Sequence, residues 1–388
     1  MRLLHVISSL DPRLGGTVEV VRAFSAEQAR QGHAVTVLTL DAPGQAYFAK
    51  MSVPVIALGP SRTGFSYNAK LAAWLRTHCA EYDAVILHGI FEYAVLGAWR
   101  GLRGGATPWF LYPHGMLDQY FEQFRLKHLK KVIYWRLWLS RIFGEADGVL
   151  YTAEEEQRQG QLAFKPYAAY GMLAPLGTAA PDAAEPDARG IFFEKFPQLA
   201  GCRVVLFMGR NHAKKGLDLA IAALAQLAPD FPDVRLVVAS PPAPPEDARL
   251  QALCAKLGVA ERVLWAGFLA GTLRSGALAA AEVFVLPSHG DNFALAAVES
   301  MARGLPVAIT NKVNIWREVE RYGAGLVEDD TVEGTARAMR QWLSMTPEQC
   351  SRMSQRARLC FAECFEIGAA ARYAVEQIER RIAERRVK

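Results

Sequence analysis

The chain has 388 residues, more than one hydrophobic core usually holds, so two domains are expected. Hydrophobic residues make up 51% of it and charged residues 21%, a composition that is ordinary for a globular enzyme and argues against extensive disorder. The net charge is a modest +5 and no nucleic-acid-binding motif accompanies it, so nucleic acid is not an expected partner.

The first half of the chain has the pattern of a parallel α/β sheet. The segment 3–10, "LLHVISSL", is typical of a buried strand, and a loop, an amphipathic helix and the strand 34–40 follow it. A strand–loop–helix–strand opening of this kind begins a doubly wound parallel sheet. Further strands are predicted at 83–89, 108–115, 146–153 and 171–178.

The second half repeats this alternation after a break. The segment 179–190, "AAPDAAEPDARG", has the composition of a linker, and we predict the linker at 181–199. The domains are then predicted at 1–180, joined by a final helix at about 367–388, and at 200–366. Strands of the second domain are predicted at 203–209, 234–240, 262–267, 281–288 and 306–310, with helices at about 216–228 and 245–257.

Several classes of protein are not expected. The six cysteines form no C-x-x-C pair and no histidines have zinc-ligand spacing, so we expect reduced thiols and no metal site. The first residues turn polar too soon for a signal peptide, and no run of about twenty apolar residues exists. These features predict a cytoplasmic protein without a membrane-spanning segment.

A glycine pair follows the first predicted strand. Glycine at Gly15 and Gly16 lets the backbone approach a ligand, and the start of the helix that follows favours an anion. A plain tight turn is the alternative interpretation. The pattern is not the G-x-G-x-x-G of dinucleotide-binding proteins, which counts against a dehydrogenase.

Two cations follow the first strand of the second domain, in "FMGRNHAKKGLDLAI". Arg210 and Lys215 are five residues apart, between a strand end and a helix. An arginine offers fork-shaped hydrogen bonds and a lysine a point charge, so together they suit a diphosphate. Lys214 is the weaker candidate of the lysine pair, and a solvated basic turn is the alternative.

Two acids lie in an otherwise apolar stretch at 289–307, "HGDNFALAAVESMARGLPV". Burying an uncompensated carboxylate costs several kcal/mol, so each acid needs a partner or a ligand. We predict Asp291 before a helix and Glu299 in the second turn of that helix. The backbone N–H groups of Phe293, Ala294 and Leu295 are then the unpaired donors of a helix start, where an anion or a sugar can bind.

The segment 287–307, "PSHGDNFALAAVESMARGLPV", resembles the signature of the family-four retaining glycosyltransferases of the GT-B fold. Their pattern is P-S, then E-x-F-G, then E-A-M-A-x-G-x-P-V. Three more segments agree with family motifs: "FMGRNHAKKG" with G-R-x-x-x-x-K-G, "PHGMLDQYFEQF" with an H-G loop, and "DPRLGGTVEVVRAF" with a G-G loop. The resemblance covers nearly the whole chain and implies two Rossmann-like parallel-sheet domains that face a cleft.

The resemblance also implies roles for single residues of the second domain. Arg210 and Lys215 hold the diphosphate of the donor, Glu299 hydrogen-bonds the nucleotide ribose, and Asp291 contacts the transferred sugar. The backbone from Asn292 to Leu295, which includes Phe293 and Ala294, completes this donor-binding loop.

In the first domain, the resemblance implies that Gly16 lets the domain close on the phosphate and that His114 of the H-G loop reaches the reacting sugar. Two positions depart from the family pattern. Asp291 replaces a glutamate and is one methylene shorter, and Ala294 replaces the usual glycine. Because both belong to the loop that contacts the sugar, the resemblance does not fix the donor sugar.

The implied activity is transfer of a sugar from a GDP- or UDP-linked donor to a hydroxyl of a lipid-linked or growing polysaccharide glycan, with retention of configuration. No D-x-D motif is present, so no metal cofactor is expected. Two alternatives stay open: another GT-B enzyme such as a nucleotide-sugar epimerase, and a non-catalytic scaffold that binds sugar nucleotides. The shortened acid Asp291 is the feature that favours the scaffold.

Two further features have two interpretations each. His88, at the end of a predicted strand, either lines the acceptor side of the cleft or is a structural histidine. The segment 125–143 mixes basic with aromatic residues, and such a helix can lie on an anionic membrane at the inner face of the cell membrane. Alternatively, its apolar side packs inward and its lysines are solvated.

Overall fold

The computed structural model describes residues 1–62, 64–118, 125–181 and 187–387. Residues 182–186 of the predicted linker and Lys388 of the predicted final helix lie outside the described residues. The chain divides into two compact units. Unit 1 comprises Met1–Ala179 and Glu366–Lys388, and unit 2 comprises Ala180–Phe365.

Unit 1 is built on a parallel sheet, which confirms the predicted doubly wound α/β architecture. Across the sheet the strands run in the order β3-β2-β1-β4-β5-β6-β7. Their bounds are β1 (Arg2–Ile7), β2 (Ala34–Thr39), β3 (Val55–Ala57), β4 (Ala84–His88), β5 (Trp109–Tyr112), β6 (Gly148–Tyr151) and β7 (Gly171–Leu173). Strands β4 and β5 are buried at every position, as expected for a parallel sheet that is covered on both faces.

The helices of unit 1 connect these strands and cover the sheet. Their bounds are α1 (Gly16–Arg30), α2 (Lys70–His78), α3 (Tyr93–Leu102), α4 (Arg125–Tyr134), α5 (Ser140–Glu145) and α6 (Glu154–Ala163). A π-helical segment, Trp135–Leu139, joins α4 to α5. The C-terminal helix, Ile367–Val387, returns to unit 1 and packs on α1, where Gln31 Nε2 donates to the carbonyl oxygen of Gly368 at 2.7 Å.

Unit 2 repeats the design with strand order β10-β9-β8-β11-β12-β13, again all parallel. The strands are β8 (Arg203–Met208), β9 (Val234–Ala239), β10 (Val263–Trp265), β11 (Val283–Leu286), β12 (Val307–Thr310) and β13 (Gly325–Glu328). The helices are α7 (Ala188–Lys195), α8 (Leu217–Leu227), α9 (Pro244–Lys256), α10 (Gly271–Ala280), α11 (Leu295–Ala302), α12 (Trp316–Tyr322), α13 (Val332–Leu343) and α14 (Pro347–Cys364).

Two strands and the predicted linker differ from the sequence-based expectation. Strands β3 and β13 were not predicted, because each is a short edge strand whose residues are mostly half-buried and form no long apolar run. Helix α7 lies inside the predicted linker 181–199 and packs against α10, with Phe192 fully buried. The packed structure of unit 2 therefore begins before residue 200.

The strand orders define where a ligand can bind in each unit. The chain direction across the sheet reverses between β1 and β4 in unit 1, and between β8 and β11 in unit 2. Ligands of open α/β sheets bind beyond the carboxyl ends of the strands at such switch points. Within the described residues, no helix combines the length and apolar composition needed to cross a membrane.

Candidate functional site

The loop after β8 brings Lys215 to the switch point of unit 2. Residues Ala213–Lys215 form one turn of 3-10 helix, and His212 Nδ1 caps it by accepting from Lys214 N at 3.1 Å. Gly216 has a left-handed φ of 66°, and a Cβ there would overlap the carbonyl group of Pro287. Glycine is therefore required for the lysine loop to pack against the end of β11.

The loop after β11 brings Asp291 to the same place. The backbone of Asp291 donates to the carbonyl oxygen of Lys312 at 3.1 Å and accepts from Asn314 N at 2.9 Å. Ser288 Oγ donates to the carbonyl oxygen of Lys214 at 2.8 Å, which ties the two loops together. As a result, the Asp291 carboxylate forms an ion pair with Lys215 Nζ.

The start of α11 provides free backbone donors. Ala294 has φ 49° and ψ 54°, so the chain turns through the left-handed region just before the helix begins at Leu295. Asn292 N donates to Asp291 Oδ1 at 3.0 Å, whereas the N–H groups of Phe293, Ala294 and Leu295 donate no hydrogen bond to any described residue. These three donors and the helix dipole favour an anion at this point.

Glu299 lies in the second turn of α11, and its partner is a residue that sequence reasoning missed. Arg274 of α10 forms an ion pair with the Glu299 carboxylate, and its Nε donates to Met208 Sδ at 3.3 Å at the end of β8. Burial raises the pKa of Glu299, and the nearby Arg274 acts in the opposite direction. In the sequence, Arg274 was indistinguishable from a solvated cation on an amphipathic helix.

Arg210 differs from the other cations of this site. Its side chain is exposed, and it forms no ion pair with any residue that the structure describes. Arg210 and Lys215 follow the carboxyl end of β8, and the start of α11 follows that of β11, so both positive charges and the backbone donors come from the loops of the two neighbouring strands at the switch point. Such a group suits a phosphate or diphosphate.

The predicted histidines of unit 1 belong to one hydrogen-bonded line. His88 Nδ1 lies 2.8 Å from His114 Nε2, and His88 Nε2 lies 2.8 Å from Nδ1 of His5, a residue that was not predicted as functional. His5 Nε2 lies 2.8 Å from Gln28 Oε1 on α1. Burial lowers the pKa of His5 to about 4 and that of His114 to about 3, so both rings are neutral at pH 7.

A buried carboxylate holds the H-G loop. His114 has a left-handed φ of 53°, and Glu156 Oε1 accepts a hydrogen bond from the next backbone N–H, that of Gly115, at 2.5 Å. The other carboxylate oxygen accepts from Thr152 N at 2.7 Å and from Thr152 Oγ1 at 2.8 Å. Glu156 thus fixes the backbone from which His114 projects.

The glycine pair of unit 1 has two distinct members. Gly15 has φ 95° and ψ −145°, a conformation that favours glycine, and it caps the start of α1. Gly16 is the first residue of α1, is exposed, and would have free space around a Cβ. Within unit 1, the turn therefore requires Gly15, whereas Gly16 is not required by local packing.

In the basic helix at 125–143, the aromatic residues do not form the exposed face. Its aromatic residues face inward, since Trp135 is fully buried and Tyr134 and Trp138 pack against the core. Its outward face carries an apolar stripe with exposed fractions of 54% for Leu129, 50% for Ile133 and 59% for Leu137. The side chains of 125–127 lie outside the described residues.

Matches to known families agree with this geometry. A family described as "Glycosyl transferase 4-like domain" matches residues 15–164, and "Glycosyl transferases group 1" matches residues 190–359. The chain belongs to the family-four glycosyltransferases of the GT-B fold. The matched regions contain all of the residues described above except His5.

Curated relatives of this glycosyltransferase use different substrates. The chain is 27% identical over 96% of its length to a GDP-mannose-dependent alpha-(1-6)-phosphatidylinositol dimannoside mannosyltransferase of Mycobacterium tuberculosis, covering 94% of that protein. It is 25% identical over 87% of its length to a GDP-mannose:cellobiosyl-diphosphopolyprenol alpha-mannosyltransferase of Xanthomonas campestris, covering 86%. A D-inositol 3-phosphate glycosyltransferase of Acidothermus cellulolyticus is 37% identical over only 33% of this chain and 30% of its own.

Solved structures share the fold of this glycosyltransferase. HepE of Anabaena, solved in complex with UDP, superposes with a TM-score of 0.79 at 18% identity, over 98% of this chain and 100% of that one. Sucrose-phosphate synthase of Thermosynechococcus elongatus gives a TM-score of 0.76 at 21% identity, over 99% and 100%. At these identities the likeness shows the fold alone.

Proposed function

We propose that this glycosyltransferase transfers a sugar from a nucleoside diphosphate sugar to a hydroxyl of a lipid-linked or growing glycan, with retention of configuration at the anomeric carbon. The observation that carries the proposal is the arrangement in unit 2. The loops after the neighbouring strands β8 and β11 carry two cations, Arg210 and Lys215, and three backbone N–H groups that donate to no residue within the described part of the chain. A diphosphate leaving group develops negative charge there, and fixed donors stabilise such charge.

The donor-site roles follow from the contacts. Arg210 is exposed and free of ion pairs among the described residues, so it can pair with phosphate directly. Lys215 is held next to Asp291, and a diphosphate that binds Lys215 leaves the Asp291 carboxylate available for sugar hydroxyls. Glu299, positioned by Arg274, accepts hydrogen bonds from the ribose.

The donor and the acceptor are proposed from the relatives. Two relatives are named for GDP-mannose, and HepE was solved with UDP, which supports a GDP- or UDP-linked donor. Their named acceptors are a phosphatidylinositol dimannoside and a cellobiosyl-diphosphopolyprenol, which supports a lipid-linked glycan.

For the chemical step we propose attack on the face from which the diphosphate leaves. The acceptor oxygen forms a bond to the anomeric carbon as the bond to the diphosphate oxygen breaks. The acceptor hydroxyl proton passes to the departing phosphate oxygen. In this scheme the charge on the leaving group is met by Arg210, Lys215 and the α11 donors, so we expect turnover without a bound metal ion. His114 contacts the transferred sugar.

Thermal stabilisation by nucleotides tests the donor site. A ligand that binds only the folded state raises the melting temperature by mass action. We expect GDP or UDP to raise the melting temperature of the wild type, and the Arg210→Ala variant to lose most of this shift. Arg340→Ala is the matched control. Arg340 is an exposed arginine of unit 2 that lies on α13 and pairs with Asp230. If neither nucleotide shifts the wild type, the donor site is wrong.

Product analysis separates transfer from the alternatives. GDP-mannose and UDP-glucose are offered with cellobiosyl-diphosphopolyprenol or phosphatidylinositol dimannoside as acceptor probes. Transfer releases nucleoside diphosphate in proportion to a glycosylated product, and the anomeric proton coupling of that product reports retention. An epimerase instead converts the donor without an acceptor, and a scaffold shows nucleotide stabilisation with no turnover.

We also propose that the outward face of α4 and the π-helical segment lies on an anionic membrane surface, at the inner face of the cell membrane. The exposed stripe of Leu129, Ile133 and Leu137 runs along one side of the helix. Exposed cations, Lys130 and Arg136, flank the stripe. Apolar insertion combined with basic residues is the pattern of an interfacial helix.

Vesicle sedimentation tests this surface. We expect the protein to bind vesicles that contain phosphatidylglycerol and not vesicles of phosphatidylcholine alone. The double variant Ile133→Ser and Leu137→Ser should lose binding, whereas Leu359→Ser, which changes an exposed leucine of unit 2, should not. Equal binding of both variants and the wild type would assign the contact to another surface.

A further inference from the structure

Unit 1 contains polar side chains inside its core that the donor chemistry does not use. Gln28, His5 and His88 have exposed fractions of 1%, 1% and 3%. Burying polar groups without hydrogen bonds costs free energy, so their contacts must account for their presence. They form one line with His114, from α1 through β1 and β4 to the loop after β5, which crosses the switch point of this sheet.

The rings of this line are neutral. Burial is the main reason that the pKa of each histidine lies below its ordinary value: about 4 for His5, well below 6.5 for His88, and about 3 for His114. Tyr112 stacks on His88 and His114, and burial raises the pKa of its hydroxyl far above neutral, so this neighbour is uncharged as well. Glu156 is the nearby acid, and its carboxylate bonds to the backbone of Gly115 and to Thr152.

A line of neutral imidazoles has a direction. Each neutral ring has one N–H donor and one bare nitrogen acceptor, so every ring in the line must be oriented in the same sense. Gln28 presents its oxygen, Oε1, to His5 Nε2, and an oxygen can only accept. His5 must therefore carry its proton on Nε2 and accept from His88 with Nδ1.

The tautomers of His88 and His114 follow from that of His5. His88 donates through Nε2 to His5, so its Nδ1 is bare and accepts from His114 Nε2. The Nδ1 of His114 is then a bare acceptor, and none of the residues that the structure describes donates a hydrogen bond to it. His114 itself is half-buried, so a ligand can reach this atom.

We propose that Gln28, His5 and His88 are positioning residues that hold His114 as the neutral Nε2–H tautomer, so that its Nδ1 accepts a hydrogen bond from a hydroxyl of the transferred sugar. The proposal rests on the proposed function only for the identity of that ligand. It makes His114 a hydrogen-bond acceptor in the reaction and not a general acid. It also gives the line a specificity role, because a site built to bond a hydroxyl discriminates strongly against a sugar that lacks it.

Nitrogen NMR of histidine-labelled protein at pH 7.5 tests the tautomer without any substrate. The His114 signals are assigned by their absence from the spectrum of His114→Asn. We expect a protonated Nε2 and a bare Nδ1 for His5, His88 and His114. A proton on Nδ1 of His114, or an imidazolium signal, overturns the proposal. This measurement uses the wild type, so it does not depend on whether a variant folds or on whether the donor site is correct.

Two variants at Gln28 test whether the line acts in turnover. Gln28→Met has a similar length and only a weakly accepting sulfur in place of the amide oxygen, so we expect mixed tautomers at His114 and at least about a tenfold fall in turnover of the GDP-mannose or UDP-glucose substrate. Gln28→Glu keeps an acceptor and should keep the tautomer and most of the turnover. Both variants should keep the stabilisation by GDP or UDP, because that site belongs to unit 2.

The results separate this proposal from simpler ones. If Gln28→Met keeps both the tautomer and the turnover, Gln28 does not set the direction of the line. If both variants lose turnover in proportion to their melting temperature, the line is structural. If no nucleotide stabilises the wild type but the NMR shows the expected tautomer, the proposed donor site fails and the direction of the line stands.

Discussion

The two candidate sites, one in each unit, lie at equivalent points of similar sheets but are built from opposite electrostatics. In unit 2, ion pairs such as Lys215–Asp291 and Arg274–Glu299 join fully charged side chains. In unit 1, the line that leads to His114 consists of neutral rings and an amide, all buried except the half-buried His114. The difference matches the ligands proposed for them, since a diphosphate carries full charge and a sugar hydroxyl does not.

The two sites also differ in how readily a ligand can replace one of their internal contacts. The Lys215–Asp291 pair is mostly buried, and a diphosphate that takes the place of Asp291 keeps the lysine charge paired. A buried hydrogen-bonded line has a fixed direction, because every member must be satisfied. Substitutions in unit 2 should therefore act mainly on charge and binding, and those in unit 1 mainly on the orientation of donors and acceptors.

The largest expected effect tests the charged site. Lys215→Ala removes a cation that faces the diphosphate, and losing one such donor typically lowers turnover by about 10²- to 10³-fold. Lys214→Ala is the matched control in the same turn and should lower kcat/KM by less than about tenfold. Steady-state release of nucleoside diphosphate measures both variants. Equal losses in the two variants would mean that the loop, and not the charge of Lys215, matters.

The next effect compares the two glycines of unit 1. Gly15→Ala forces a side chain into φ 95°, so we expect a loss of about 2 kcal/mol in the free energy of unfolding. Gly16→Ala has free space and should change it by no more than about 0.5 kcal/mol, while lowering turnover if Gly16 approaches the phosphate. Thermal unfolding and turnover are measured on the same samples. Full turnover in Gly16→Ala would remove Gly16 from the site.

The third prediction concerns Arg274 and tests whether its positive charge offsets the cost of burying the Glu299 carboxylate. Burial raises the pKa of Glu299 in the folded state above its unfolded value. The Glu299 carboxylate therefore destabilises the fold increasingly as the pH rises from the unfolded pKa through the folded pKa. Arg274 opposes this shift. Arg274→Met should therefore lose more stability at pH 8 than at pH 5, by about 1–2 kcal/mol, because the pair is only partly buried.

A second substitution checks the cause of that loss. Glu299→Gln in the Arg274→Met background removes the unpaired charge and should restore most of the stability at pH 8. Urea unfolding at both pH values measures the free energies. If the loss in Arg274→Met is the same at pH 5 and pH 8, it comes from packing and not from the Glu299 carboxylate.

Much of this architecture follows from local sequence pattern. Continuous apolar runs such as "DAVILHG" indicate buried parallel strands, and the position of Asp291 before a helix that carries Glu299 followed from the pattern of 289–307. The strands that escaped prediction, β3 and β13, are short edges whose residues remain half exposed. Pattern alone cannot separate such edges from loops.

Pairings between distant residues could not be predicted in this way. His5 sits inside the apolar run of β1, 83 residues before the His88 that it contacts. Arg274 and Glu299 lie on different helices and come together only because β8 and β11 are neighbours in the sheet. The sequence showed that the two acids need a partner or a ligand, and the family resemblance singled out His114, but the sheet order determines which residues they contact.

The smallest expected effect concerns a feature that both sites share. Each turns through the left-handed region at a residue other than glycine, Ala294 in unit 2 and His114 in unit 1. An L-residue costs roughly 1–2 kcal/mol in that region, so Ala294→Gly should remove the strain and raise the free energy of unfolding by about 1 kcal/mol. The loss of the buried methyl group lowers the free energy of unfolding and reduces this gain. Leu295→Gly would have no such benefit, because Leu295 has already entered the helix. His114 cannot be relieved in the same way without losing its ring.

The comparison therefore predicts that Ala294→Gly stabilises unit 2 with turnover kept, as measured by urea unfolding and nucleoside diphosphate release. A variant that gains stability but loses turnover would instead show that the methyl group of Ala294 shapes the sugar site.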